Sequence, residues 1–198
     1  MRKIILGLFI ALSFVSTTVL AADSYKIDPV HSNIGFSVKH MMISNVSGTF
    51  DQYDDQIAFD PKDLANSKIS VTIDVTSINT RNEKRDGHLK SPDFFDAAKF
   101  PAITFVSKKI TSTDITGDLT MKGVTKEITI PATITGPVKG MNGDAIGIDA
   151  TFTVNRQDYG ISFNKTLDQG GVAVSNNVLV NISVEADKQE ALKEAEKK

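Results

Sequence analysis

From Ile146 to Val154 the chain alternates without a break. Ile146, Ile148, Ala150, Phe152 and Val154 are apolar, while Gly147, Asp149, Thr151 and Thr153 are small or polar. A period of two puts successive side chains on opposite faces, which suits a strand with one dry and one wet face. The pattern recurs. Ile69, Val71, Ile73 and Val75 alternate with Ser70, Thr72 and Asp74, and Ile34, Phe36 and Val38 with Gly35 and Ser37. Ile128, Ile130, Ala132 and Ile134 alternate with Thr129, Pro131 and Thr133, and Val178, Val180, Ile182 and Val184 close the series. Shorter pieces lie at 46–50, 103–105 and 115–121. About eight or nine short strands with turn-rich links predict an antiparallel barrel or a packed sandwich, and the alternation fits either. Pro131 inside its run predicts an edge position or a bulge.

Turn residues separate the runs. Asp60-Pro61 opens a loop with a short helical turn around 62–65, 121–124 has the form of a tight hairpin, and 136–144 a longer glycine-rich connection. The segment 80–101 breaks the alternation. Thr80-x-x-Glu83 resembles a capping box, and Asp86 and Lys90 stand at i,i+4 for an ion pair. Gly87 weakens the helix this predicts. Ser91-Pro92-Asp93 has the order of a second helix start: a serine cap, a proline first, an acid in the first turn. That helix has to stop before Pro101. The expectation is two short helices inserted between strands.

At the N-terminus, Arg2 and Lys3 precede an apolar run from Ile4 to Val15, and small residues end at Val19-Leu20-Ala21. This predicts an export signal over 1–21, cleaved after Ala21 with Ala22 as the near alternative. The run is too short to span a bilayer, so the mature chain is expected to be exported, with no stable membrane insertion. Losing Arg2 and Lys3 takes the net charge from -2 to -4, and with no basic excess nothing argues for nucleic acid or for adhesion to anionic membranes. There is no cysteine, so disulfides, thiolate metal sites and cysteine nucleophiles are excluded. A bacterial periplasm fits these features. The segment 186–198 is rich in Ala, Glu and Lys, with Leu192 alone strongly apolar, and is expected to be a solvated, partly helical tail.

Candidate chemistry is sparse. The histidines His31, His40 and His88 form no close-spaced ligand pair, so no metal and no cofactor are expected. His40 shares parity with Ile34, Phe36 and Val38 and is expected to face inward at a strand end. No Gly-x-Ser-x-Gly elbow occurs. Asp93 and Asp96 are the obvious carboxylate pair, but Asp93 is already accounted for as a first-turn helix acid, and no catalytic residue is assigned. If 81–90 is helical, Arg81, Arg85 and His88 fall at i, i+4 and i+7 and form a cationic stripe, either an ordinary solvated face or a clamp for a polar head group.

Four stretches carry a resemblance: KIDPVHSNIGFSVKHMMISNVSGTF, TRNEKRDGHLKSPDFFDAAKFPAITFVSKKI, GDLTMKGVTKEITIPATI and NRQDYGISF. In this order they resemble the YceI-like family of exported, lipocalin-like proteins, over about 24–185. The motif Arg85-Asp86-x-His88-Leu89, followed by Phe94-Phe95-Asp96 and Phe100-Pro101, is the most specific part. The resemblance implies an all-β fold: an eight-stranded antiparallel barrel with a short helical insertion, occupying a domain of 22–185. It implies a long internal pocket for an amphiphile such as a polyisoprenoid, an isoprenoid quinone or pyrophosphate, or a fatty acid or its amide. It does not imply an enzyme.

On this reading the protein binds a long-chain lipid in the barrel for sequestration or transport. Wall candidates are Phe36, Val38, Phe50, Ile73, Phe94, Phe95, Phe105, Phe152 and Phe163, with Arg85, His88 and Arg156 near the head group. A homodimer stays open. Two other readings are an enzyme acting on a lipid-linked substrate through His88 and Asp93 or Asp96, and a packed sandwich that binds a protein partner.

Overall fold

A computed structural model describes residues 22–140, 143–168 and 170–189. The strands are β1 (Asp23–Ile27), β2 (Asn33–His40), β3 (Ser44–Phe50), β4 (Tyr53–Phe59), β5 (Lys68–Asp74), β6 (Ile78–Asn79), β7 (Ala102–Ile110), β8 (Asp114–Met121), β9 (Val124–Gly140), β10 (Gly143–Asn155) and β11 (Val174–Lys188). One helix, α1 (Glu83–Lys90), lies between β6 and β7.

Pairing decides between barrel and sandwich. From β4 through β5, β7, β8, β9, β10 and β11, each strand pairs antiparallel with the next. β11 then pairs with β2 along its first part, from Val174↔His40 to Ser183↔Asn33, and with β1 along its end, from Ile27↔Ala186 to Tyr25↔Lys188. β1 returns to β4, and β2 to β3. So β1 and β2 are the lower and upper halves of one kinked strand, and β3 and β4 are the upper and lower halves of another. Counted this way, the sheet is a closed eight-stranded antiparallel barrel, which has no long free edge. Closure overturns the packed-sandwich alternative.

The kink is held by polar contacts. Asp28 N donates to the Glu185 carbonyl at 2.9 Å, Ser32 Oγ donates to the same carbonyl at 3.2 Å, and Glu185 N donates to Ser32 Oγ at 3.0 Å. Where β1 leaves β4, the buried Asp55 carboxylate accepts from Ile27 N, so a side chain replaces the next ladder bond.

The lower end is packed. Tyr25 and Phe59 meet edge to face at 6.0 Å, with Ile110, Ile146 and Ala186 buried beside them. The upper end carries the β2–β3 turn, the insertion between β5 and β7, the two-residue β8–β9 hairpin and the long β10–β11 link.

Several local expectations change. Pro131 lies on neither an edge strand nor a bulge. It sits at the last rung of β9 with β8, one residue before the Ala132 rung with β10, where a missing N–H costs least. The described parts of the 136–144 connection are strand: β9 runs to Gly140, β10 starts at Gly143, and 136–137 bulge opposite Ile146 between the Thr135↔Gly147 and Val138↔Ala145 rungs. The helical turn after Pro61 forms at Leu64–Asn66, capped by Asp63. β11 continues to Lys188 with Ala186 fully buried, so the solvated tail does not begin at 186; 190–198 lie outside the described residues, as do residues 1–21, where a leader is expected.

The insertion differs most. Asn82 caps α1, accepting from Arg85 N at 3.0 Å, and no Thr80–Glu83 box forms. Thr80 instead turns its N–H and hydroxyl to the Asp86 carboxylate, which takes Asp86 away from Lys90. Arg81 precedes the helix with φ 61, so the Arg81–Arg85–His88 stripe does not assemble. The second helix is absent: 91–99 is a run of turns, in which Phe94 N and Asp96 N both donate to the Ser91 carbonyl. Asp93 therefore does not serve a helix start; its carboxylate meets His88 Nε2 at 2.9 Å. His40 is exposed, because at the last rung the inward direction opens onto the mouth rather than the core.

Candidate ligand cavity

The inward faces enclose one apolar cavity of about 230 Å³. On β10 its lining runs through Ile148, Ala150, Phe152 and Val154, a span of about 20 Å along the strand. It starts near the packed floor, at Ile27, Ile57 and Val184, and reaches Val38, Val174 and the insertion's Leu89, Phe94 and Phe95 at the upper end. Arg156 is the one charged side chain among the lining residues.

An eight-stranded barrel is narrow enough to be filled by its own side chains. Two inward glycines help to keep this one open. A Cβ on Gly48 would stand 2.6 Å from Phe36 Cζ, and a Cβ on Gly117 would stand 2.6 Å from Phe105 Cζ. Each ring lies against the wall in space that a side chain would take, an aromatic covering a strand glycine. Phe36 and Phe50 rings lie 5.7 Å apart, and Phe50 meets Phe95 edge to face at 5.9 Å, which ties the insertion to β3.

Arg156 follows β10 in the short turn Arg156–Tyr159 and is 5% exposed. Its Nε donates to the Ser175 carbonyl at 3.0 Å, Nη1 to the Ile161 carbonyl at 2.7 Å, and Nη2 to the Val174 carbonyl and Asn176 Oδ1 at 3.3 and 3.2 Å. It makes no ion pair with a carboxylate among the described residues. Burial pushes its pKa down from the usual arginine value, yet a guanidinium stays protonated, so a cation sits at the cavity's upper end without an opposite charge. Nearby, the buried Tyr159 hydroxyl has no hydrogen-bond partner among the described residues, and burial raises its pKa.

Nine of the twelve sequence-chosen positions line the cavity: Phe36, Val38, Phe50, Ile73, Phe94, Phe95, Phe105, Phe152 and Arg156. Three do not. Arg85 is drawn back onto Thr80, donating from Nε to Oγ1 and from Nη2 to the carbonyl, both at 2.7 Å. His88 and Phe163 stand behind Phe94, with ring centroids 4.9 to 5.0 Å apart in a three-ring cluster. Asp93 joins His88, whereas Asp96 adopts φ 53 and bonds neither. Other lining residues, such as Leu119, Ile128 and Ile182, were readable from their parity; Leu89 and Ile161 lie outside the strands and carried no such signal. Asp28, His31 and Glu185 bring ligand-type atoms within 4.8 Å of one another, but on the barrel's outside.

Comparison with known proteins agrees with this architecture. Residues 25–186 match the YceI-like domain. A UPF0312 protein of Staphylococcus aureus (strain MSSA476) is 43% identical over 164 residues, covering 82% of this chain and 96% of that protein. The YceI protein of Campylobacter jejuni superposes with a TM-score of 0.65 at 39% identity, over 77% of this chain and 90% of that one. A polyisoprenoid binding domain from Saccharophagus degradans, implicated in plant cell wall breakdown, shares the fold with a TM-score of 0.63 at 15% identity, over 84% of this chain and 99% of that one. With its barrel, its insertion and its match over most of its length, this chain belongs to the YceI-like family.

Proposed function

We propose that this chain is an exported, periplasmic protein that binds one long-chain amphiphile inside its barrel and sequesters or transports it. The tail lies along the apolar lining toward the packed floor, and the head group rests near Arg156. The observation that carries the reading is the pairing of one elongated apolar cavity with a single buried, carboxylate-free arginine at its upper end. Each methylene moved from water into such a lining contributes about 0.8 kcal/mol, so the tail dominates affinity. Tail length is then read loosely, because one methylene more or less discriminates weakly. The barrel of the polyisoprenoid binding domain from Saccharophagus degradans supports the ligand class, and a fatty acid or its amide meets the same chemistry. Export and a periplasmic location rest on the 1–21 leader.

Native mass spectrometry after mild extraction tests the reading and counts the chains in the assembly. A lipid near one per chain is expected. A protein that arrives empty and also takes up no fluorescent fatty acid would sink it. Arg156→Leu should weaken a fatty acid more than its neutral amide, because only the acid places a carboxylate by the guanidinium.

One observation favours a second reading. The His88–Asp93 pair has the geometry for acid–base work, at 2.9 Å. It stands outside the cavity lining, behind Phe94. Turnover of a lipid pyrophosphate that vanishes in His88→Ala would establish it.

A further inference from the structure

The upper end carries a feature that the cavity does not use. Between β2 and β3 the chain turns through Met41, Met42 and Ile43, which are 40%, 56% and 83% exposed. Ile43 N donates to the His40 carbonyl at 3.1 Å, and Met41 and Met42 have φ of 52° and 63°. Two left-handed residues at the centre of a hairpin turn ask for Asn-Gly or Gly-Gly. Here they are two methionines, so the backbone accepts strain and the side chains are apolar where small polar ones would serve the turn better. The tip is also braced. Met41 N donates to the Ala173 carbonyl at 2.8 Å, Ala173 N donates to the Lys165 carbonyl at 2.8 Å, and Met42 Cγ and Leu167 Cδ1 both lie within 4.0 Å of a Cβ position on Gly171.

Charge along the strands behind the tip is one-sided, although Asp93 of the insertion stands near the bracing segment through His88 and Phe163. The chain carries 24 acids, yet none falls in 29–50 or in 170–184, the stretches that form β2, β3 and most of β11 side by side. Lys39 and His40 flank the tip on β2, Lys165 stands on the bracing segment, and Asp168 is the nearest acid in sequence on that segment. Net charge alone gives this protein no pull toward a bilayer; this local distribution does. The tip is also continuous with the mouth. His40 pairs with Val174, and Val38 with Val178; Val38, Val174 and Val178 all line the cavity.

We propose that the Met41–Met42–Ile43 tip inserts into the surface of a phospholipid bilayer and holds the barrel mouth against it, so that a lipid passes between membrane and cavity without crossing water. Apolar side chains on a fixed turn enter the acyl boundary, while Lys39 and Lys165 meet anionic head groups. This rests on the lipid-binding reading above for its purpose, though docking can be measured without it.

The test uses the leaderless chain, 22–198, whose residues 23–188 close the barrel. It is mixed with vesicles of phosphatidylethanolamine containing one-quarter phosphatidylglycerol and sedimented, and a dansyl-labelled fatty acid reports cavity uptake. Met42→Ser with Ile43→Ser should lower vesicle binding about tenfold and slow transfer of the dansyl fatty acid to vesicles, with uptake from solution unchanged. Lys39→Glu should weaken binding only when phosphatidylglycerol is present. Ala150→Phe should block uptake and leave vesicle binding intact; if it blocks nothing, the cavity reading fails while docking stands. Docking is overturned if the parent protein does not sediment with vesicles, or if the double variant sediments like the parent. It is equally overturned if the parent is a dimer that the double variant splits while neither binds vesicles, for then a second copy covers the tip.

Discussion

The lower and upper halves of this barrel are built from the same strands and the same alternation, yet one is solid and the other hollow. In the lower half large side chains pack closely against one another: Tyr25 with Phe59 on the neighbouring strand, and Ile146 at 1% exposure. In the upper half Phe36 and Phe105 lie back over Gly48 and Gly117, and the insertion roofs the space with Phe94 and Phe95 instead of filling it. Stability and binding are thus divided along the barrel axis. The floor supplies close packing, and the upper half leaves apolar surface that only a ligand can cover.

The largest expected effect tests the packed half against the hollow one. Ile146→Ala removes a tightly enclosed side chain and should cost about 3 kcal/mol, the range for such truncations in close-packed cores. Val180→Ala removes two methyl groups from the cavity wall and should cost about 1 kcal/mol, since little transfer energy is lost where little packs. Urea unfolding without ligand measures both. Equal costs would mean the upper half is as solid as the floor.

Adding volume should reverse the order of consequences. Ala186→Phe, at a fully buried floor position, should overpack and cost about 2 kcal/mol. Ala150→Phe projects into the cavity, so it should cost less and abolish dansyl fatty acid uptake. A smaller effect belongs to Gly48. In Gly48→Ala the new Cβ would press on Phe36 and on Thr80 Cγ2, 2.7 Å away, and the Phe36 ring has room to swing into the lumen. Stability should fall by about 1 kcal/mol while uptake falls several-fold, a ratio that packing damage alone would not give.

The strands were legible because alternation is a local property: a residue's parity tells which face is dry before any partner is known. Ile148, Ala150, Phe152 and Val154 line the cavity as their parity required. Whether the dry faces meet as a sandwich or close as a barrel was not legible from alternation and came from the family resemblance alone, because closure depends on β11 pairing with both β1 and β2 around a kink held by Ser32 and Glu185, far apart in sequence. The insertion was misread for a related reason. Helix signals assume that polar side chains serve their own helix. Here Thr80 binds Asp86, Arg85 reaches back to Thr80, and Asp93 faces His88, so each apparent cap or pair is diverted to a neighbour. The hollow was likewise invisible to parity, and only the resemblance implied it: the sequence contains Gly48 and Gly117, but nothing in their pattern says that two rings will lie on them.

The smallest effect concerns the joint between the halves. At the kink between β1 and β2, His31 Nδ1 meets the Asp28 carboxylate at 2.6 Å, beside the contacts that hold Glu185. The hydrogen bond with Asp28 raises the His31 pKa, with the Asp28, Glu185 and Asp187 charges adding to it, and the same bond lowers the Asp28 pKa. A raised histidine contributes stability that is complete below its ordinary value of about 6.5 and is lost as pH climbs through the folded value. A lowered carboxylate contributes stability present above its ordinary value of about 3.9 and lost as pH falls through the folded one. The pair should therefore help most between about pH 4 and 6.5, and the urea midpoint should drop slightly as pH rises from about 6 to 8. His31→Asn should flatten that step, leaving the midpoint above pH 8 nearly that of the parent. Because the pair lies at the surface, with His31 exposed and Asp28 half-buried, added salt should shrink the step in the parent. A step that survives both His31→Asn and salt would have to come from a group other than this pair, and the kink would then owe its rigidity to the bonds that Asp28 N and Ser32 make with Glu185.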